Sequence, residues 1–534
     1  MQTYDTIAGF PCYRTIQSSF TLMDDLATQY PNLATVLDIG DSYLKTVNPV
    51  DGFDMKVLKI TADNPNISTK GKMFAMFGIH AREFAPPELG MRFAELLLDG
   101  YDVDPQITSI LEHNEIHLLL QANPDGRAVD EVDQNLRRKN MNPTNGANCG
   151  SPESVGVDLN RNFPFMWGRL DGSSDNPCAA TYHGSHPGSE PEIQAIVNYV
   201  NGLYPASQVK AEPEGANLND PYDIESATGY FIDVHAYGEL NIYPWGWINS
   251  LSPNDEQLLT LARKLKYFNG HALSGPEQPD FLYVVSGASS DWAYGQRGVS
   301  GFSYELGTAF YQSCSYFEQS IVPTNLQSML YSASVAKFPY KTPLGPDVTS
   351  IGSPFSTTDS TVIPSVPQDS TLAVSVTVSD DEYSTFFTGR GKNTVANGIS
   401  TGQQNIQSVT LYIDVHPDDD LANPPPTGIA MSGTFGGSTT ETATVDITLD
   451  AGSYSIGSRH TLYVVATDSE GYTGPVTSRY FDICDPADTV NCASGPPPPT
   501  CLLAGEGLPC SSSTDCCSGV GNCSGGKPSS KVCL

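Results

Sequence analysis

The apolar residues of this chain change their period once, and that change limits the folds open to it. Up to about residue 340, short apolar runs such as 72–79 (KMFAMFGI), 116–120, 230–234 (YFIDV) and 301–306 (GFSYEL) alternate with helix candidates such as 20–30, 87–99, 190–202 and 255–268. Buried apolar strands interleaved with helices predict an α/β unit with a mixed, mostly parallel central sheet flanked by helices. Functional residues in such units gather at the carboxyl ends of the strands. From about 368 to 484 the period is two. Leu372, Val374, Val376 and Val378 alternate with polar residues, as do Val409, Leu411, Ile413 and Val415, then Ala443, Val445, Ile447 and Leu449, then Leu462, Val464 and Ala466. Such strands, with Gly, Asp, Asn and Pro in their connections, predict an immunoglobulin-like β-sandwich. Between the two units, 341–367 is rich in Pro, Ser and Thr without an amphipathic period, and it reads as a linker. A Pro-rich linker follows over 485–500, then a cysteine-rich segment. The expected division is 1–340, 341–367, 368–484, 485–500 and 501–534.

Charge and cysteine usage bound the partners and the compartment. The 534 residues hold 60 acids against 27 bases, a formal net charge of −33. That excludes nucleic acid as a partner and opposes binding to anionic membrane surfaces. No apolar run reaches the roughly 20 residues needed to span a bilayer. The 12 cysteines, half of them in 501–534, point to an oxidising compartment. The first residues, MQTYDTIAGF, lack a basic-then-apolar leader. The expectation is a secreted protein from which a leader, with any pro-segment, has been removed.

Only nine histidines are available as metal ligands. His80 and Glu83, in GIHAREFAPPE, form a His-x-x-Glu pair directly after an apolar run. The pair is weak by itself: with acids at 60 of 534 positions, nine histidines generate about one such match by accident. His416, followed by Asp419 in HPDDD, is such a match and reads as a solvated turn of the sandwich. His80 and Glu83 gain weight from their company. His235 ends the run YFIDVHAY, and Asn160 and Arg161 lie in GVDLNRNFP. Glu305 lies inside the apolar run GFSYEL, where a carboxylate is costly to bury without a partner or a task. Singly, each has a plainer reading: His235 as a satisfied core histidine, Arg161 as a surface arginine, Tyr283 as packing. His113 and His117 stand at helical metal spacing but enter an apolar strand, and they read as structural.

Along residues 5–335 a set of motifs follows in order: HARE, NPDG at 123–126, RRK at 137–139, DLNRN, YHG with SEPE ending at Glu192, HAY, Tyr283, the Asp291–Trp292 pair, and Glu305. This set resembles the zinc carboxypeptidase family, in its digestive carboxypeptidase A/B branch. The resemblance implies an enzyme that hydrolyses the C-terminal peptide bond of peptides and proteins. It implies one zinc ion on His80, Glu83 and His235, a ligand set that leaves a position open for water, with Asp158 orienting the first histidine. Glu305 would be the general base and Arg138 would stabilise the oxyanion. Arg161 and Asn160 would clamp the substrate's terminal carboxylate, which a planar guanidinium grips bidentately. Tyr283 would close over that carboxylate, and Arg82 would serve the next subsite out. The residue before the Asp–Trp pair sets terminal-residue preference in this family. Here it is Ser290, matching neither the isoleucine nor the aspartate of the two branches. Ile242, Gly246, Leu282, Val285 and Ser303 would line the same pocket. None is charged, so an apolar, aromatic or broad preference is expected, with Asp280 leaving a basic one open. The resemblance also implies a Cys149–Cys178 disulfide. Cys484 and Cys492 suit a small local loop, and Cys12 and Cys314 remain, their pairing open.

The tail orders its cysteines 501, 510, 516, 517, 523 and 533, and resembles the inhibitor cystine-knot (knottin) module. Six cysteines allow 15 connectivities; the resemblance favours first with fourth, second with fifth and third with sixth. In the sandwich, Asp380, Asp381 and Glu382, or 418–420, offer the oxygen ligands that calcium favours, but they read first as exposed acidic turns. The C-terminal units are expected to bind a surface or matrix, and the protein to be a monomer. Two other functions fit less well. A deacylase or amidopeptidase on the same zinc scaffold is opposed by Tyr283 and the Asn160–Arg161 pair. An inactive binding protein is opposed by Glu305 and the complete ligand set.

Overall fold

The structure is a computed structural model, and it describes residues 4–144, 148–210, 218–276, 282–357, 359–381, 404–488, 492, 523–524 and 532–533. A short hairpin of β1 (Thr6–Ile7) and β2 (Phe10–Arg14) opens the chain. The helix Ile16–Gln29 follows. It starts where the Thr15 side chain accepts from the Ser18 amide, and it buries Ile16, Phe20, Leu22, Met23 and Leu26.

Eight strands form the central sheet: β3 (Ala34–Asp41), β4 (Asp54–Ile60), β5 (Gly71–Phe77), β6 (Asn114–Leu119), β7 (Tyr230–Ala236), β8 (Leu240–Ile242), β9 (Ala272–Ser274) and β10 (Ser300–Leu306), in the spatial order β3–β4–β6–β5–β7–β10–β8–β9. The pairs β5–β6, β5–β7, β7–β10 and β8–β9 are parallel. The pairs β3–β4, β4–β6 and β8–β10 are antiparallel. β5 and β7 are buried along almost their whole length, the pattern of strands covered on both faces. The helix expected over 87–99 spans Ala85–Gly100, with prolines in its first turn, where a missing N–H costs nothing. The others expected over 190–202 and 255–268 span Pro191–Leu203 and Asp255–Asn269, the latter stopped by Gly270 in a left-handed conformation.

A second hydrophobic core lies between a three-stranded and a five-stranded sheet. Their strands are β11 (Asp347–Ile351), β12 (Ser365–Pro367), β13 (Thr371–Ser379), β14 (Ile406–Ile413), β15 (Ile429–Ala430), β16 (Thr440–Thr448), β17 (Arg459–Asp468) and β18 (Thr477–Cys484). The orders are β11–β13–β16 and β12–β18–β17–β14–β15. Leu372, Val374, Val376 and Val378 are buried on β13, as the period of two demands. The stretch 341–367, expected as a linker, carries β11 and β12. Both are edge strands, where proline is tolerated because one side of the strand needs no ladder partner. Cys12–Cys314, Cys149–Cys178 and Cys484–Cys492 form disulfides. The cystine-knot expectation for 501–534 lies outside the described residues, apart from the antiparallel pair β19 (Cys523–Ser524) and β20 (Val532–Cys533).

The HPDDD segment is not a solvated turn. His416 and Asp419 are buried, and the His416 ring stacks on His113 with centroids 3.6 Å apart and an interplanar angle of 26°. Asp419 Oδ1 lies 3.1 Å from His113 Nε2 and accepts from Asn64 Nδ2 at 3.0 Å. Asp420 accepts from the Ser68 amide at 2.7 Å, and the Leu421 amide donates to the Asn66 carbonyl at 2.8 Å. Asp380, expected in an exposed turn, is also buried, and Glu382 lies outside the described residues. The acidic segment 418–420 thus docks the sandwich onto the α/β unit. Burial first, then repulsion from His113 and Lys337, holds His416 well below the usual histidine range, with Asp419 opposing and Tyr463 packed edge-on. The unfolded chain takes up a proton near pH 6.5 that the folded chain refuses, so this contribution is complete above that pH and is lost as pH falls through it. His416→Phe should therefore shrink the drop in Tm between pH 7.5 and pH 5.5. An unchanged drop would show that another group carries it.

Candidate active site

Three parallel strands end on one edge of the site and deliver its chemistry. β5 runs through Gly78, at φ +69°, into His80; a Cβ at Gly78 would come 2.9 Å from Pro87 Cγ. Alternate residues of a strand share a face, so Asp233 and His235 on β7, and Ser303 and Glu305 on β10, point the same way. The parallel register sets Ser303 opposite Asp233 and Glu305 opposite His235.

His80, Glu83 and His235 are buried, and each offers a ligand atom within 4.8 Å of the others. Nδ1 of His80 lies 2.7 Å from Glu83 Oε1 and 3.2 Å from Nδ1 of His235. Glu83 Oε2 lies 3.3 Å from His235 Nδ1 and accepts from the Ala236 amide at 3.2 Å. On the far side of each ring stands an acid: Asp158 Oδ1 is 3.2 Å from His80 Nε2, and Asp233 Oδ2 is 2.8 Å from His235 Nε2. Two imidazole nitrogens and a carboxylate converge, each ring backed by a carboxylate, and this donor set suits zinc.

The charges around the donor set are arranged for it. Burial would raise the Glu83 carboxyl, but His80 and His235 outweigh it and hold the group below the usual range. Burial opposes the charged form of Asp158 too, and Arg138, Arg161 and His80 reverse that. Arg138 donates from Nε to Asp158 Oδ2 at 2.9 Å, with Nη2 at the same distance, and its Nη1 reaches 3.3 Å from His80 Nδ1. Glu305 differs: burial pushes its carboxyl up, and its Oε2 has no hydrogen-bond partner among the described residues. A buried carboxylate oxygen without a donor marks Glu305 as a candidate functional group.

One cavity joins these groups. It is lined by His80, Arg138, Asn160, Arg161, His235 and Glu305, and by Ile242, Tyr243, Trp245, Gly246, Leu282, Val285, Ser290 and Ser303. Arg161 closes the 3-10 turn Leu159–Arg161, which the Asp158 side chain caps. Its Nη1 donates to the Asn160 carbonyl at 2.7 Å, and its Nε has no partner among the described residues. Gly287, at φ +67°, lets the neighbouring loop close on this turn; a Cβ there would fall 2.3 Å from the Arg161 carbonyl oxygen. Tyr283 stands at the rim, 58% exposed. Arg82 does not line the cavity; its guanidinium lies 3.8 Å above the centre of the Phe310 ring. Asp280 lies outside the described residues. Tyr243, Trp245, Ala288 and Asp233 were not singled out in the sequence. Of these, only Asp233 carried a signal, two residues before His235 on one strand. Asp291 earns its place in the Asp–Trp pair by accepting from the Gly246 amide at 2.9 Å and the Trp247 amide at 2.7 Å, which ties down the loop bearing Trp245. Burial pushes its carboxyl up to about 7.

A family profile described as zinc carboxypeptidase matches residues 20–329. Carboxypeptidase A1 of Mus musculus is 28% identical over 339 residues, covering 63% of this chain and 72% of that protein. Carboxypeptidase A4 of Mus musculus is 30% identical over 326 residues, covering 60% and 69%. Carboxypeptidase A1 of Sus scrofa is 30% identical over 302 residues, covering 56% and 63%. Among solved structures, thrombin activatable fibrinolysis inhibitor superposes with a TM-score of 0.51 at 23% identity, over 61% of this chain and 74% of that one, a likeness of fold.

Proposed function

Because the chain belongs to the zinc carboxypeptidase family, we propose that it is a secreted metallocarboxypeptidase that removes the C-terminal residue of peptides and proteins and prefers apolar or aromatic ends. The observation that carries this reading is the meeting, in one cavity, of the metal donor set, an unpartnered buried Glu305 and Arg161 with a free donor. His80, Glu83 and His235 would hold a zinc ion, which would supply acidification of water and polarisation of the scissile carbonyl. Glu305 takes the proton from the attacking water and returns it to the leaving amine. Arg138, held by Asp158, faces the carbonyl oxygen and offsets the charge that develops on it. Arg161, beside Asn160, grips the terminal carboxylate and so restricts cleavage to chain ends. Tyr283, at the rim, folds over that carboxylate, and Arg82 with Phe310 meets the residues further upstream. Ser290, with Ser303 and Gly246, leaves room between Trp245, Tyr243 and Val285 for a bulky apolar side chain.

Three disulfides among the described residues support an extracellular location, and no helix among those residues is long and apolar enough to cross a membrane. We take the sandwich as immunoglobulin-like and, with the cystine-knot-like tail, as a surface- or matrix-binding attachment on a monomeric enzyme.

The test is release of the last residue from blocked dipeptides ending in Phe, Leu, Lys, Arg or Glu. Phe and Leu should be released, a chelator should abolish the release, and added zinc should restore it. Release of Lys or Arg instead would refute the apolar pocket while leaving the chemistry. No release by zinc-loaded, disulfide-bonded protein would sink the carboxypeptidase reading.

A further inference from the structure

We propose that Asp233 is a second positioning acid of the metal centre, holding His235 in the tautomer and orientation that bind zinc. The inference rests on the reading of His80, Glu83 and His235 as zinc ligands. The family resemblance assigns an acid, Asp158, to one histidine only.

The strand period puts Asp233 and His235 on one face of β7, and both are buried, at 0% and 3% exposure. Asp233 Oδ2 stands 2.8 Å from His235 Nε2, closer than Asp158 stands to His80. Asp233 is itself pinned, because Ser289 Oγ donates to the same Oδ2 at 2.6 Å. Ser289 begins the helix Ser289–Arg297, so the acid is braced against a rigid element.

The tautomer is contested at this position. Asn160 Nδ2 lies 3.1 Å from the same His235 Nε2. The Asn160 amide cannot turn its oxygen there, because that oxygen accepts from the Ser289 amide at 2.9 Å. A neutral imidazole carries one N–H. A donor facing Nε2 favours the proton on Nδ1, the nitrogen that must be bare to ligate. A carboxylate facing Nε2 favours the proton there and leaves Nδ1 free. Asp233 at 2.8 Å stands nearer than Asn160 at 3.1 Å, and nearer than Glu83 stands to Nδ1 at 3.3 Å, and so favours the ligating tautomer. Its Oδ1 has no partner among the described residues, and burying it unpaired carries a desolvation cost.

The experiment compares wild-type full chain with Asp233→Asn and Ser289→Ala. The first measurement is the zinc dissociation constant by chelator competition. The second is the ring 15N shifts of His235 in histidine-labelled apoprotein, recorded at a pH where the ring carries one proton, which report the protonated nitrogen and which a purely structural role would not move. Asp233→Asn should weaken zinc binding about 10- to 100-fold and shift the proton of His235 towards Nδ1. Ser289→Ala should move both quantities in the same direction by less. A zinc dissociation constant within twofold of wild type and an unchanged tautomer in Asp233→Asn would overturn the inference. Should that variant not fold, unchanged values in Ser289→Ala would overturn it. A wild type that binds no zinc would instead overturn the ligand assignment itself.

Discussion

Glu305→Gln should lower kcat by about 10²- to 10⁴-fold, the range expected for losing a positioned general base. The substitution keeps the size and the polar end of the side chain but removes the ability to accept a proton. Glu305 stands opposite His235 in the β7–β10 register and lines the cavity with both histidines. It is not one of the three donors His80, Glu83 and His235, so zinc content should stay at the wild-type level. KM should change little, because Arg161 and the apolar wall remain. Burial disfavours the charged form of Glu305, and its Oε2 has no partner, so a neutral amide relieves a desolvation cost. The variant should therefore unfold at the wild-type Tm or above it, the trade of stability against function common at active sites. Turnover of a blocked Phe-terminated dipeptide, zinc stoichiometry and Tm test all three statements together. A loss of less than about tenfold in kcat would remove Glu305 from the role of base.

Lys264→Met should destabilise the protein by about 3–5 kcal/mol, the cost of stranding a buried partner charge. Lys264 lies on the helix Asp255–Asn269 and reaches Asp347 Oδ2 at 2.7 Å, with both side chains almost wholly buried. Its Nζ also donates to the Gly345 carbonyl at 2.8 Å, and Tyr331 donates to Asp347 Oδ1 at 3.1 Å. Asp347 opens β11, so this ion pair ties the first strand of the sandwich to the α/β unit. Burial already pushes the Asp347 carboxyl up even with Lys264 beside it. Without the lysine the rise is larger. A raised folded-state pKa in an acid penalises the fold above the unfolded pKa of about 3.9 and not below it. The loss in Lys264→Met should therefore be largest at neutral pH and shrink towards pH 4. The double variant Lys264→Met with Asp347→Leu should recover most of the loss, since an apolar pair of similar volume replaces a buried ion pair at little cost. Calorimetric unfolding of the two variants at pH 7.5 and pH 4.5 checks both signs. Equal losses in the single and the double variant would show that packing of the lysine stem, not charge, is at stake.

How much of this was legible beforehand depended on the range of the interaction concerned. The helices Ala85–Gly100, Pro191–Leu203 and Asp255–Asn269 and the strands β5, β6, β7 and β10 were visible as periods, because burial on one face imprints itself every few residues. β11 and β12 were not visible. Edge strands tolerate proline and keep one side unpaired, so their composition matches that of a linker. The motif residues His80, Asn160, Arg161, His235 and Glu305 could be named because their ordered motifs resemble those of the zinc carboxypeptidase family, and the structure brings them to one cavity. Tyr243 and Trp245 could not be placed on its wall, because the Asp291 carboxylate that holds their loop is distant in sequence.

What the sequence determined by itself was the local and the ordered: element type, the two units, the acid-rich charge balance and the candidate ligands. Only the tertiary structure decided the rest. Cys12 and Cys314 meet across 302 residues, and the stack of His113 on His416 joins two units. The proton contest at His235 sets Asp233 on its own strand against Asn160, remote in sequence but 3.1 Å away. The physical reason is common to all three. Periodicity reports which face of a segment is buried, whereas partner identity, and with it charge and tautomer, depends on which distant backbone packs against that face.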